Sequence, residues 1–107
     1  MIITTTDFVA NRDIVQHCGA VSGNTVRAKH VGRDIAAGFK TLFGGEIRGY
    51  TEMLAEARKE ALDRMTAEAS RLGADAVINV RYTTSMVMQG MSEMLAYGTA
   101  VKTSEKN

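Results

Sequence analysis

The chain has 107 residues, of which 45% are apolar, enough to bury one core and too few for two ordinary domains, so residues 1–107 read as a single domain. Thirteen Lys and Arg stand against twelve Asp and Glu and are dispersed, which excludes a basic footprint for nucleic acid or an anionic membrane. One cysteine, Cys18, excludes an internal disulfide framework and fits a reducing compartment.

The first residues, Met1 to Phe8, show no basic stretch followed by an apolar core, and no apolar run approaches the ~18 residues of a membrane span. Export and membrane insertion are therefore not expected, and the cytoplasm is. β-Branched residues predict a short strand at Ile2 to Thr4 and a longer one at Ile14 to Val26. Val31, Ile35, Phe39 and Leu42 recur at helical spacing and predict a short helix over Gly32 to Phe43, with Gly44 as its stop.

From Thr51 to Leu72 the apolar residues Leu54, Ala57, Ala61, Met65, Ala69 and Leu72 fall at steps of three and four, the signature of one helical stripe. Glu60 and Arg64 are ordered for an i,i+4 pair, and Gly73 stands where a helix C-cap glycine is expected. Ala76 to Met88 then alternates, which predicts Ile78, Val80, Tyr82, Met86 and Met88 on one face of a strand and Asn79, Arg81, Thr83 and Ser85 on the other. Gly90 marks a turn, and the return strand Met94 to Val101 carries no charge. Two helices can cover one face of such a sheet. The other face would expose either Met94, Ala96 and Ala100 or Leu95, Tyr97 and Val101, and self-association covers it most economically.

Four constellations invite a chemical reading. Gly44, Gly49, Tyr50 and Thr51 have the spacing of a phosphate-binding loop, but tyrosine stands where the charge-neutralising lysine belongs, so a turn between two helices is expected there. His17 and Cys18 are both good ligands for soft or borderline cations and are the candidate metal residues. On a regular strand they point to opposite faces, His17 with Val15 and Val21 and Cys18 with Gln16, Ala20 and Ser22, and no C-x-x-C pair anchors a site. A mononuclear site would need His30 or neighbouring subunits, and a buried free cysteine is the plainer reading.

Met86, Met88, Met91 and Met94 form a thioether series that could take Cu(I), although packing accounts for them as well. Arg58, Arg81 and Tyr50 could line a cleft, yet no Ser/His/Asp order, paired carboxylates or histidine cluster marks a reacting centre. No cofactor is implied, and the chain is not expected to be an enzyme.

The motifs C-G-A-V-S-G at Cys18 to Gly23, F-G-G at Phe43 to Gly45, Tyr50 followed by E-A-R at Glu56 to Arg58, L-G-A-D-A-V at Leu72 to Val77 and Y-G-T-A-V at Tyr97 to Val101 occur together. Over nearly the whole chain they resemble the YbjQ-like family, whose label is "putative heavy-metal-binding". The resemblance implies an α+β subunit of β-α-β-β type, dodecin-like in outline, with a small antiparallel sheet against one short and one long helix. It also implies a ring, most often a homopentamer. Three functional expectations arise: a non-enzymatic oligomeric module binding a small molecule or protein at subunit boundaries, a metal-binding protein using Cys18 or the methionines across subunits, and an enzyme whose site forms only between subunits.

Overall fold

A computed structural model describes residues 1–28 and 45–106. In chain order these form β1 (Ile2–Ile3), β2 (Arg12–Ala28), α1 (Gly45–Arg71), β3 (Ala76–Met88) and β4 (Met91–Glu105). The fold is α+β, as expected. The short helix predicted over Gly32 to Phe43 lies outside the described residues, as do His30 and Gly44.

The sheet order is β1-β3-β4-β2. β4 pairs antiparallel with β2 on one side and with β3 on the other, whereas β1 joins β3 in parallel and makes the sheet mixed rather than purely antiparallel. A chain that must place α1 between β2 and β3 cannot pair those two as a simple hairpin, so β4 fills the position between them. The Gln89–Gly90 turn closes the β3–β4 hairpin with Gly90 at φ +78°, a conformation that is cheap for glycine.

Helix α1 begins six residues before the Thr51 start of the predicted stripe, so Gly49 and Tyr50 are helical and do not form the turn read there. A glycine inside a helix costs only about 1 kcal/mol relative to alanine, too little to stop one that has good formers around it and a sheet to lie on. Its C-terminus is a Schellman cap. Ala74 N–H donates to Ala69 O at 3.1 Å, Gly73 N–H donates to Ser70 O at 3.0 Å, and Gly73 takes φ +81°. Along the stripe Ala57, Ala61, Met65 and Ala69 are buried, but Leu72, beyond the helix end, stays 44% exposed.

The helix lies on β2 through small residues. A Cβ on Gly23 would enter the envelope of the Ala61 carbonyl oxygen and the Met65 amide nitrogen and stand 2.8 Å from the Arg64 carbonyl carbon. Strand backbone therefore touches helix backbone, with Ala57 and Ala61 flanking the contact. Val21, Met65, Val77, Val80, Met94, Ala96 and Ala100 complete this core. Gly98 plays the same part within the sheet, where a Cβ would stand 2.8 Å from both Ile78 O and Val77 Cγ1.

Bulges in β3 reassign the faces that simple alternation predicts. The register slips between Ile78 and Arg81, where Asn79 adopts φ +54°. Val77 and Val80 consequently join the helix-side core, while Ala76 and Ile78 join Val9 and Val101 in a second cluster on the outer face. Ile78 and Val80 thus lie on opposite faces, contrary to the alternating expectation. A second slip at Met86/Met88 leaves Val87 unpaired and separates Met86, opposite Ser92, from Met88, opposite Met91.

The Gly23 contact predicts that Gly23→Ala lowers unfolding stability by about 2 kcal/mol or more, since overpacking against backbone cannot relax through a side chain. Urea unfolding at one fixed subunit concentration measures this. A change below about 0.5 kcal/mol would contradict the direct strand-to-helix contact.

Candidate functional site

His17 and Cys18 sit at a bulge in β2, where the register passes from His17↔Val101 to Gly19↔Ala100 and leaves Cys18 as the extra residue. Gly19 makes the irregularity possible at φ +128°, a region costly for residues bearing a Cβ. His17 is exposed and lies opposite Val101, on the outer face, whereas Cys18 is half-buried against the helix-side core. The two still diverge. The bulge, however, brings Val21 to the Cys18 side of the sheet, where an unbroken strand would have placed it with His17. Among the described residues no group of three His, Cys, Asp or Glu side chains comes together to hold a metal ion. A cation on Cys18 or His17 therefore finds no set of three such ligands among the described residues of one subunit.

The methionine series is divided by the Val87 bulge. Residues directly opposite across an antiparallel ladder share a face, so Met88 and Met91 lie together, while Met86 shares its side with Ser92 and Met94. Met94 is buried in the core, but Met86 and Met88 are 75% and 59% exposed, so core packing accounts for only part of the series.

Of the cleft candidates, Arg81 and Arg58 are described, while the side chain of Tyr50 lies outside what is described. Arg81 donates at 2.9 Å to both Thr5 O and Val80 O, tying the loop after β1 to the β3 bulge. Asn79 N–H donates to Thr6 O and Val80 N–H to Thr4 O across the same bulge. Arg58 is exposed on α1. At the far end Arg12 Nε donates to Thr103 Oγ1 at 2.6 Å, and Thr103 donates through its amide and hydroxyl to Asp75 Oδ1 at 3.0 and 3.1 Å. This latch ties β2 and β4 to the turn that enters β3.

A feature that sequence periodicity missed is the treatment of β2, a 17-residue strand at the sheet edge. Two charged side chains of α1 engage its backbone: Ser22 N–H donates to Glu68 Oε2 at 3.3 Å, and Asn24 O accepts from Arg64. Arg64 also pairs with Glu60, which pairs in turn with Arg27. The helix therefore occupies backbone groups through which another strand could add, a usual protection of long edges. The i,i+4 spacing of Glu60 and Arg64 was legible as a pair, but the strand it serves was not.

On the outer face Val9 and Ile14 cover Val101, whereas Tyr97 remains 43% exposed and Leu95 half-buried. Of the two alternatives for the uncovered face, Met94, Ala96 and Ala100 lie under α1, and Leu95 with Tyr97 is the set left open. Among the described residues, no helix is long and apolar enough to cross a membrane.

With this geometry in view, the chain matches, over residues 1–104, a family model described as "Putative heavy-metal-binding". UPF0145 proteins of Photobacterium profundum and Archaeoglobus fulgidus are 64% and 63% identical to it over 95% of its length, covering 99% and 94% of theirs. A UPF0145 protein of Thermosipho africanus is 59% identical over the whole chain and 99% of its own length. A solved structure of a protein of unknown function from Pediococcus pentosaceus, of the DUF74 family, superposes with TM-score 0.69 at 20% identity, over 97% of this chain and 98% of that one.

If Glu68 and Arg64 guard the β2 edge, replacing both with alanine unmasks a backbone ladder. Light scattering on warming should then show aggregation beginning several degrees below the wild type, and an unchanged onset would remove the guarding role.

Proposed function

The chain belongs to the family described as "Putative heavy-metal-binding", and from that premise we propose that it is a non-enzymatic module working in the cytoplasm as a ring of identical copies, with its ligand held where subunits meet. The observation that supports this reading is how much apolar side chain the described residues of the chain leave uncovered. Its Cα radius of gyration is 17.7 Å and its extents are 61 × 21 × 16 Å, whereas a compact chain of this length has a radius near 13 Å. Its accessible surface is 7074 Å².

The exposed apolar side chains that account for part of this surface, Tyr82, Met86, Val87, Met88 and Tyr97, would each contribute on the order of 1 kcal/mol if their exposed part were covered. Copies of the same chain are the partner always present at matching concentration. Five is the subunit number that the family resemblance gives. The absence of a reacting constellation in the sequence favours binding over catalysis.

The family description favours a second reading, a soft metal ion shared between subunits. Cys18 and the facing pair Met88 and Met91 are the donors of suitable softness. His17, exposed on the outer face, could add an imidazole.

Native mass spectrometry of gently purified protein tests both readings. The proposal expects a closed oligomer, five copies in the family's form, carrying an organic mass; a monomer at micromolar concentration contradicts it. Under the second reading the retained mass is that of metal ions, and Cys18→Ser or the pair Met88→Leu and Met91→Leu lowers metal affinity at least tenfold. Unchanged affinity in both variants removes that reading.

A further inference from the structure

The two long edges of the sheet are treated differently. Along β2 the register slips at Val15 and at Cys18, and further on the outward backbone at Ser22 and Asn24 is occupied by Glu68 and Arg64. Bulges and charged side chains are the ordinary means of keeping another strand off an edge. On the opposite side β1 covers only the start of β3, pairing Ile2 with Ala76 and Ile3 with Val77, and the loop after β1 takes the amides of Asn79 and Val80. Beyond that point β3 is itself the edge.

The direction of each backbone group along this second edge follows from the β2 contacts. Ser22 N–H and Asn24 O turn away from β4, so Ser22↔Tyr97 and Asn24↔Leu95 are non-hydrogen-bonded pairs of the β2–β4 ladder. Tyr97 and Leu95 therefore direct their N–H and C=O to β3, where they meet Arg81 and Thr83. The alternate residues Tyr82, Thr84 and Met86 direct theirs outward. Among the described residues none bonds to these outward groups. Register is unbroken from Arg81 to Met86, the segment Tyr82 to Ser92 holds neither charge nor proline, and every residue from Arg81 to Gly90 is exposed. None of the devices that protect β2 is present here.

A bare ladder of this kind takes an extended backbone, which adds to the sheet as a further strand. We propose that the strand it takes is the same segment of a second copy, running antiparallel, with Thr84 of each copy facing Thr84 of the other. Outward residues pair only with outward residues, and the register that uses all of them sets Thr84 on the two-fold axis and Tyr82 against the partner's Met86. Tyr82 and Thr84 lie opposite Ala96 and Met94, so these side chains share the helix-side face. Threonine against threonine and an aromatic ring against a thioether are favourable cross-strand neighbours.

Two-fold pairing also explains the neutrality of the segment. Every side chain in it faces one from the same short stretch, so a charge at Thr84 would meet its own like, which is destabilising for residues directly opposite. A foreign strand imposes no such requirement. The β2 edge of a second copy is a poorer partner, being interrupted by its bulges and occupied by α1. The contact goes beyond the ring reading and does not depend on it: each copy has one such edge, so copies join in twos whether they are free or belong to rings.

Cysteine substitution in the full chain tests this register. In a Cys18→Ser background, Thr84→Cys places thiols on residues whose Cα atoms are about 5.5 Å apart in the pair, within disulfide range. Val87→Cys, at a position 56% exposed on the same arm, would lie about 20 Å from its counterpart at about 3.3 Å per residue. Mild oxidation should link Thr84→Cys copies in pairs at least tenfold faster than Val87→Cys copies. Separately, Thr84→Lys, at an exposed site whose outward backbone takes no part in the ladder to β4, should weaken pairing at least tenfold in sedimentation at micromolar concentration. Linking of Thr84→Cys no faster than that of Val87→Cys, or association of Thr84→Lys equal to wild type, overturns the contact. Either result leaves the ring reading standing, which the subunit number in native mass spectrometry decides on its own.

Discussion

The architecture depends on one close approach, that of β2 to α1 at Gly23. Because no side chain intervenes there, the helix can lie on the strand through Ala57 and Ala61 and still bring Met65 into the core. That seating makes possible the Glu68 and Arg64 contacts to the β2 backbone, which need the helix within a side-chain length of the strand edge. Gly19 and Gly23, four residues apart in the C-G-A-V-S-G motif, have different physical tasks: one permits the bulge, the other permits the contact. A motif that invites a metal reading is, in its glycines, a packing device.

The features legible in the sequence were those governed by a regular period or a single cap. The 3-4 spacing from Leu54 to Ala69 marked the helix and its buried side, and Gly73 marked its end. The uncharged run of β4 marked a strand buried on one face and incompletely covered on the other. The bulges were not legible, because Asn79 at φ +54° and the extra Cys18 leave no compositional mark that a period-2 reading would register. Each bulge flips the parity of the residues beyond it, which is why Ile78 parted from Val80 and Met86 from Met88. Gly49 misled in the opposite sense: with Tyr50 it carries the composition of a turn, but both lie within the helix Gly45–Arg71.

The candidate chemistry is limited by the same geometry. Cys18 faces the core side and His17 the outer side, so one subunit does not bring thiolate and imidazole together. The methionines offer one facing pair, Met88 and Met91, at the end of the hairpin arm. All of these donors are incomplete alone, and so is the apolar covering of the arm itself. Under the proposed assembly, binding sites and stability therefore pose the same question, namely what a neighbouring copy would supply.

Amide hydrogen exchange across residues 81–91, followed as the protein is diluted, tests this central claim most directly. The account predicts strong protection of the hairpin arm at high concentration and loss of protection on dilution, while the amides of β4 near Ala100 hold theirs. Protection of the arm that stays the same across the whole concentration range would contradict it, because the arm would then owe nothing to a second copy.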